Sequence, residues 1–166
     1  MQRDTALDKR IASLSFLNKE MQTCQFTALQ QHDMGLVFQK RYALLNWQQG
    51  SGKTAVAYHY AKFRATQTKN TVVLAPSIAI HMTWEAFLQR HGEPFVTVSR
   101  PEHLKAVGPG MFVLVSLTML GDLKSAFKTF MKRRSNKICL IFDESDEITN
   151  PYALRTRLTM ELFRRA

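Results

Sequence analysis

A chain of 166 residues, 45% of them hydrophobic, has room for one substantial core and is too short for two full-sized nucleotide-motor lobes. Lys and Arg number 23 against 13 Asp and Glu, a formal net charge of +10. That balance favours a polyanionic partner, either nucleic acid or an anionic membrane.

The opening MQRDTALDKR carries acidic residues and no apolar stretch behind its charges, so it does not read as a secretory signal. Later apolar stretches such as MFVLVSLTML are far shorter than a membrane span. The expectation is a soluble intracellular protein, cytoplasmic or nucleoid-associated, with no membrane partner. Cys24 and Cys139 are the two cysteines, and with Cys139 inside the apolar run ICLIF both are expected as reduced thiols.

In chain order, Ile11, Leu14, Leu17 and Met21 recur at helical spacing, which predicts a helix over roughly Asp8 to Met21 and an accessory helical segment over residues 1–25. From Tyr42 onward, short apolar runs alternate with amphipathic segments. A strand is expected at YALLNW, followed by a helix from Thr54. TVVLA follows, with a helix reaching His91, then FVTV, then MFVLVS with a helix to about Arg134, and last KICLIF. Alternation of this kind predicts an α/β fold with a mainly parallel sheet and helices on both faces. The helix before Arg134 places Leu120, Leu123, Phe127 and Phe130 on one face, and Lys124, Lys128 and Lys132 on another that reads as solvated.

Between the first expected strand and its helix stands Gly50-Ser51-Gly52-Lys53-Thr54. Glycines let the backbone turn tightly so that several N–H groups converge on phosphate oxygens, and the following helix adds its positive amino end. Lys53 suits the β- and γ-phosphates of ATP, and the Thr54 hydroxyl suits Mg²⁺. The full pattern G-x-x-x-x-G-K-[ST] has Gly where this chain has Trp47, so the match is to its second half. KICLIF delivers Asp143-Glu144-Ser145-Asp146 from its carboxyl end, where a parallel sheet presents its ligand loops. Asp143 is expected to hold the magnesium and Glu144 to orient or polarise the attacking water. His59, His81, His91 and His103 lack the paired spacing of a metal site. The basic run Lys132-Arg133-Arg134 with Lys137, and the later Arg155, Arg157, Arg164 and Arg165, suit general electrostatic attraction, but charge runs are mostly solvated faces and no site is assigned to them.

With these motifs in order, the chain resembles the superfamily 2 helicases and their Swi/Snf-like ATPase branch. QGSGKT resembles motif I, and VVLAPSIAIHMTWEAF resembles motif Ia with the branch's tryptophan at Trp84. FVLVSLTML resembles motif Ib and DESDEITN the extended motif II. The resemblance covers roughly Phe26 to Arg165 and implies a RecA-like P-loop NTPase lobe over residues 26–166. In motif II the branch usually has Ala and His where this chain has Ser145 and Asp146, and Arg or a similar residue in place of Glu147. Asp-Glu-x-Asp is similar to the family's RNA helicases, while Trp84 and Asn150 tilt the expectation towards DNA.

The resemblance also implies a glutamine that reads adenine upstream of the loop. Gln30 and Gln31 both lie at a suitable distance, and Gln31 is the residue taken. It implies that the loops around Pro76-Ser77 and Ser116-Leu117-Thr118 touch one nucleic-acid strand's phosphates without reading bases. Ser77 and Ser116 equally suit helix N-caps. It implies a second RecA-like lobe whose arginines stabilise the transferring phosphate, supplied by further sequence or by a partner chain. The leading expectation is therefore the ATP-binding lobe of an ATP-dependent DNA helicase or translocase, nearly inactive as a hydrolase by itself. Two alternatives stay open: a phage-type DNA-packaging P-loop ATPase, and a non-catalytic nucleotide-dependent binding module.

Overall fold

The computed structural model describes residues 5–48, 50–143, 150 and 152–166. Glu144 and the acidic stretch it begins, through residue 149, lie outside them. The chain forms two compact units, residues 1–63 and 64–166.

In the first unit, helix α1 (Thr5–Ala12) buries Leu7 and Ile11, and there the expected helix stops. Beyond it β1 (Ser15–Leu17) pairs antiparallel with β2 (Thr23–Gln25). Asn18 is the cause: its side-chain oxygen accepts the N–H groups of Glu20 at 3.0 Å and Gln22 at 2.9 Å. That local bonding offers the backbone an alternative to the helical ladder. Met21 takes φ 61° and is exposed, so it does not continue the apolar face begun by Ile11.

Helix α2 (Ala28–Phe38) opens on a reciprocal capping box: Gln30 N–H donates to the Thr27 side chain, and Thr27 N–H donates to the Gln30 side chain. Satisfying two otherwise orphaned donors at once fixes where the helix starts. Helix α3 (Lys53–Arg64) buries Ala55, Val56, Tyr58 and Ala61. Phe26 meets His59 edge-on, and Phe38 packs on Phe63. The strand expected at Tyr42–Trp47 does not form: the segment is irregular, with Tyr42 70% and Leu44 76% exposed. An apolar run becomes a strand only where a neighbouring strand accepts its backbone groups, and among the described residues none pairs with this one.

The second unit is a four-stranded parallel sheet in the order β4-β5-β3-β6. Its strands are β3 (Asn70–Ala75), β4 (Phe95–Val98), β5 (Phe112–Ser116) and β6 (Ile138–Phe142). Every residue of β3 is buried, because helices cover both faces, and this is why it reads as a continuous apolar run rather than an alternating one. Val72, Leu74, Val113 and Val115 join one core with Phe127 and Phe130 of α6 (Lys124–Arg133) and Leu162 and Phe163 of α7 (Leu154–Phe163). The opposite face, with Val73 and Leu114, is covered by one helical run. It consists of α4 (Ser77–Ala79), a π-helical stretch Ile80–Glu85 and α5 (Ala86–Arg90), the π stretch lying against β4 and β5. The result is an α/β fold of the RecA-like kind, with helices on both faces of a parallel sheet. No helix among the described residues is long and apolar enough to cross a membrane.

The lysine face of α6 is not simply solvated. Lys124 and Lys128 both reach Glu161 of α7, at 2.8 and 2.7 Å, and these two hydrogen bonds pull the Glu161 carboxyl from its ordinary 4.5 down to about 2. A depressed carboxyl stabilises the fold above its unfolded pKa, and that contribution disappears as pH falls through the folded value. Urea midpoints of wild type and Glu161→Gln are therefore expected to differ at neutral pH, and to converge between about pH 4.5 and about pH 2; a gap that persists at the acid end would contradict the assignment.

Candidate functional site

The glycine-rich loop of the first unit runs into the amino end of α3. Gly50 and Gly52 take φ 78° and 85°, a left-handed backbone that costs an L side chain roughly 1–2 kcal/mol. Nothing lies within 4 Å of a Cβ built at Gly50, and at Gly52 it would meet Gln30 Nε2 at an unstrained 3.5 Å. Conformation rather than space therefore demands glycine at both positions. Between them, Ser51 donates its hydroxyl to the Gln48 carbonyl at 2.6 Å, and the Ser51 carbonyl accepts from Gln30 Nε2 at 2.9 Å.

Lys53 is the first residue of α3, and its ammonium donates to the Trp47 carbonyl at 2.7 Å and more loosely to that of Gln48 at 3.4 Å. Trp47, standing where the fuller motif has glycine, is anchored by its indole N–H to Asp33 of α2 at 2.8 Å. Thr54 follows on the first turn of α3 and is half-buried. Gly50, Ser51, Gly52, Lys53 and Thr54 are thus gathered on one loop and helix start, braced from α2 by Gln30 and Asp33. The neighbouring Gln31 donates its amide N–H to the Phe26 carbonyl at 2.8 Å. The signal for Gln30 was present in the sequence as Thr27-x-x-Gln30, a capping-box spacing; its further bond to Ser51 had none.

In the second unit the remaining described candidates share one edge of the sheet. Ala75 and Ser116 are direct partners at the carboxyl ends of β3 and β5, which sets Pro76-Ser77 beside Ser116-Leu117-Thr118. Pro76, not Ser77, occupies the N-cap position of α4, and Ser77 is exposed. Ser116 does cap the short 3-10 turn Leu117–Met119, accepting from Thr118 N–H, and its hydroxyl lies 2.9 Å from that of Thr118. On the other side of β3, Leu74 pairs with Phe142, and Asp143 N–H donates to the Leu74 carbonyl at 2.9 Å. Asp143 therefore leaves β6 at the same edge as the two hydroxyl-bearing loops. Glu144 lies outside the described residues.

One contact at this edge has no counterpart in the sequence pattern. The indole N–H of Trp84, in the π-helical stretch, donates to Asp143 Oδ2 at 2.9 Å. A carboxylate offers about four lone-pair directions, so one neutral donor leaves it capable of holding a cation. Such a carboxylate has the hard-ligand chemistry that Mg²⁺ selects.

The family described as "Type III restriction enzyme, res subunit" matches residues 18–156. No curated protein and no solved structure matches the chain. With its backbone held by two left-handed glycines, the loop is expected to tolerate Gly52→Ala poorly. A loss of roughly 1–2 kcal/mol from the φ penalty alone should appear as a lower denaturant midpoint, and an unchanged midpoint would mean the loop relaxes to another conformation.

Proposed function

Because the chain belongs to the type III restriction enzyme res-subunit family, whose matching domain is a superfamily 2 helicase-like RecA lobe of ATP-hydrolysing kind, we propose that it is the ATP-binding lobe of a DNA translocase or helicase. It binds Mg·ATP and a nucleic-acid backbone. The observation that carries this reading is the placement of Lys53 at the amino end of α3, directly behind two glycines in the left-handed conformation.

Each residue has a role in the proposal. The Gly50-Ser51-Gly52 backbone and the start of α3 receive the phosphates, because converging N–H groups and a positive helix end favour anions. Lys53 exchanges neutral carbonyl acceptors for phosphate oxygens, a charge-assisted bond about twice as strong as a neutral one. Thr54 and Asp143 hold Mg²⁺, Glu144 orients the attacking water, and Gln31 reads the adenine through the amide oxygen that its bond to Phe26 leaves available. When bound there, magnesium would supply charge neutralisation for the phosphates.

Pro76, Ser77, Ser116 and Thr118 take the backbone of one nucleic-acid strand. Small hydroxyls side by side at a sheet edge position phosphates without reading bases, and the net charge of +10 supplies long-range attraction. DNA is the proposed polymer, on the strength of Trp84 and Asn150. Hydrolysis at a useful rate needs arginines from a second RecA-like lobe, worth roughly 10³ to 10⁵ in comparable enzymes; that lobe comes from adjoining sequence or from a partner chain.

Calorimetry on the whole chain tests the reading. Lys53→Ala is expected to weaken Mg·ATP binding about ten- to a hundredfold, the loss of one hydrogen bond between charged groups, while circular dichroism stays that of the wild type. Wild-type affinity in the Lys53→Ala variant would overturn it.

A further inference from the structure

Trp84 is fully buried, at 0% exposure, and a filler of that kind is ordinarily explained by packing alone. Its indole N–H is the part packing does not explain. A buried indole needs an acceptor, and here the acceptor is a side chain 59 residues away in sequence, on the loop leaving β6. The geometry points to Trp84 as a positioning residue that fixes the Asp143 carboxylate for Mg²⁺, an inference that rests on the Mg·ATP reading above.

Asp143 is held at both ends. Its backbone N–H is tied to Leu74 of the central strand, and Oδ2 is tied to the indole. With both fixed, the direction in which the carboxylate presents its remaining lone pairs is set before any metal arrives. Partners that orient a ligand in this way raise metal affinity because the ordering cost is already met.

The chemistry of the donor suits the task. A lysine or arginine at this position would orient the carboxylate but also cancel the negative charge that magnesium requires. Indole is a donor only, and neutral, so it orients Asp143 and leaves its charge intact. The π-helical stretch is what brings the ring there. A π turn inserts an extra residue into the helix, and one residue of register rotates a side chain by about 100° around the helix axis. The stretch is pinned to the sheet next door to the indole, where Glu85 accepts the Thr97 hydroxyl of β4 at 2.5 Å and lies 3.2 Å from His81 Nδ1.

Packing and positioning make different predictions for Trp84→Phe, which keeps an aromatic ring and removes the N–H. The experiment titrates the whole chain, wild type and Trp84→Phe, with ATP in the presence of Mg²⁺ and again in EDTA. The magnesium-dependent gain in ATP affinity is expected to fall about ten- to a hundredfold in the variant, the usual consequence of deleting a partner that orients a metal ligand, while metal-free binding is retained. A variant that keeps the full magnesium-dependent gain overturns the positioning role and leaves the Mg·ATP reading standing. If the wild type binds ATP neither with nor without magnesium, both fall.

Should Trp84→Phe fail to fold, the wild type answers by itself. The sequence has two tryptophans, so its spectrum holds two indole N–H resonances, assigned with Trp47→Phe. Adding Mg²⁺ to the ATP-loaded chain is expected to shift the Trp84 resonance as the metal draws on its acceptor. A Trp84 resonance that stays put overturns the proposal.

Discussion

The burial of β3 on both faces and along both edges is the constraint from which the rest of the second unit follows. Val72, Val73, Leu74 and Ala75 have no exposed surface, and the strand is paired on one side with β5 and on the other with β6. Parallel pairing in a central strand aligns the carboxyl ends of its neighbours, so three loops of widely separated sequence are delivered to one edge. Ser77, Ser116 and Asp143 are brought together by register, not by any direct bond among them. A strand shift of one residue would turn every side chain to the opposite face and carry the three loops out of step with one another.

The same packing explains where chemistry is tolerated. Core positions on the α6 face are filled by Phe127, Phe130 and Leu120 at or near zero exposure, and truncating such an aromatic residue typically costs about 3–5 kcal/mol. On the face that carries the π-helical stretch, the indole nitrogen of Trp84 lies deep in the core and is supplied with a charged acceptor. A buried N–H without a partner would cost roughly 1–3 kcal/mol. The bond to Asp143 therefore serves the stability of the helix–sheet contact and the orientation of the carboxylate together, and selection on either would preserve it.

What the sequence could disclose divides along physical lines. The four sheet strands were legible because burial writes itself as apolar runs, TVVLA, FVTV, FVLVS and ICLIF, most fully in the central strand. YALLNW has the same composition and is not a strand, since Tyr42 and Leu44 stay exposed; composition records the capacity to pair, not the presence of a partner. The helix expected through Leu17 and Met21 fails for a local reason, because Asn18 turns the backbone with its own side chain. Gly50 and Gly52 were legible as a turn from residue type alone. The brace from Gln30, the anchoring of Trp47 by Asp33 and the bond from Trp84 to Asp143 join residues whose spacing has no periodic signature, and only three-dimensional placement exposes them.

Lys53 and Asp143, each in its own compact unit, are prepared in different ways for the charge they are proposed to meet. Lys53 rests on carbonyl oxygens of Trp47 and Gln48, neutral acceptors that a phosphate outcompetes. Asp143 rests on a neutral donor, which leaves its charge whole for a cation. Among the described residues, neither group has an ion of opposite sign as its hydrogen-bond partner. Had Lys53 been paired with a carboxylate, or Asp143 with an arginine, the incoming ligand would first have had to break a salt bridge, and part of its binding energy would have been lost to that exchange. Neutral partners hold each group in place at little cost to an incoming charge, which suits the repeated binding and release that the proposed function requires of each.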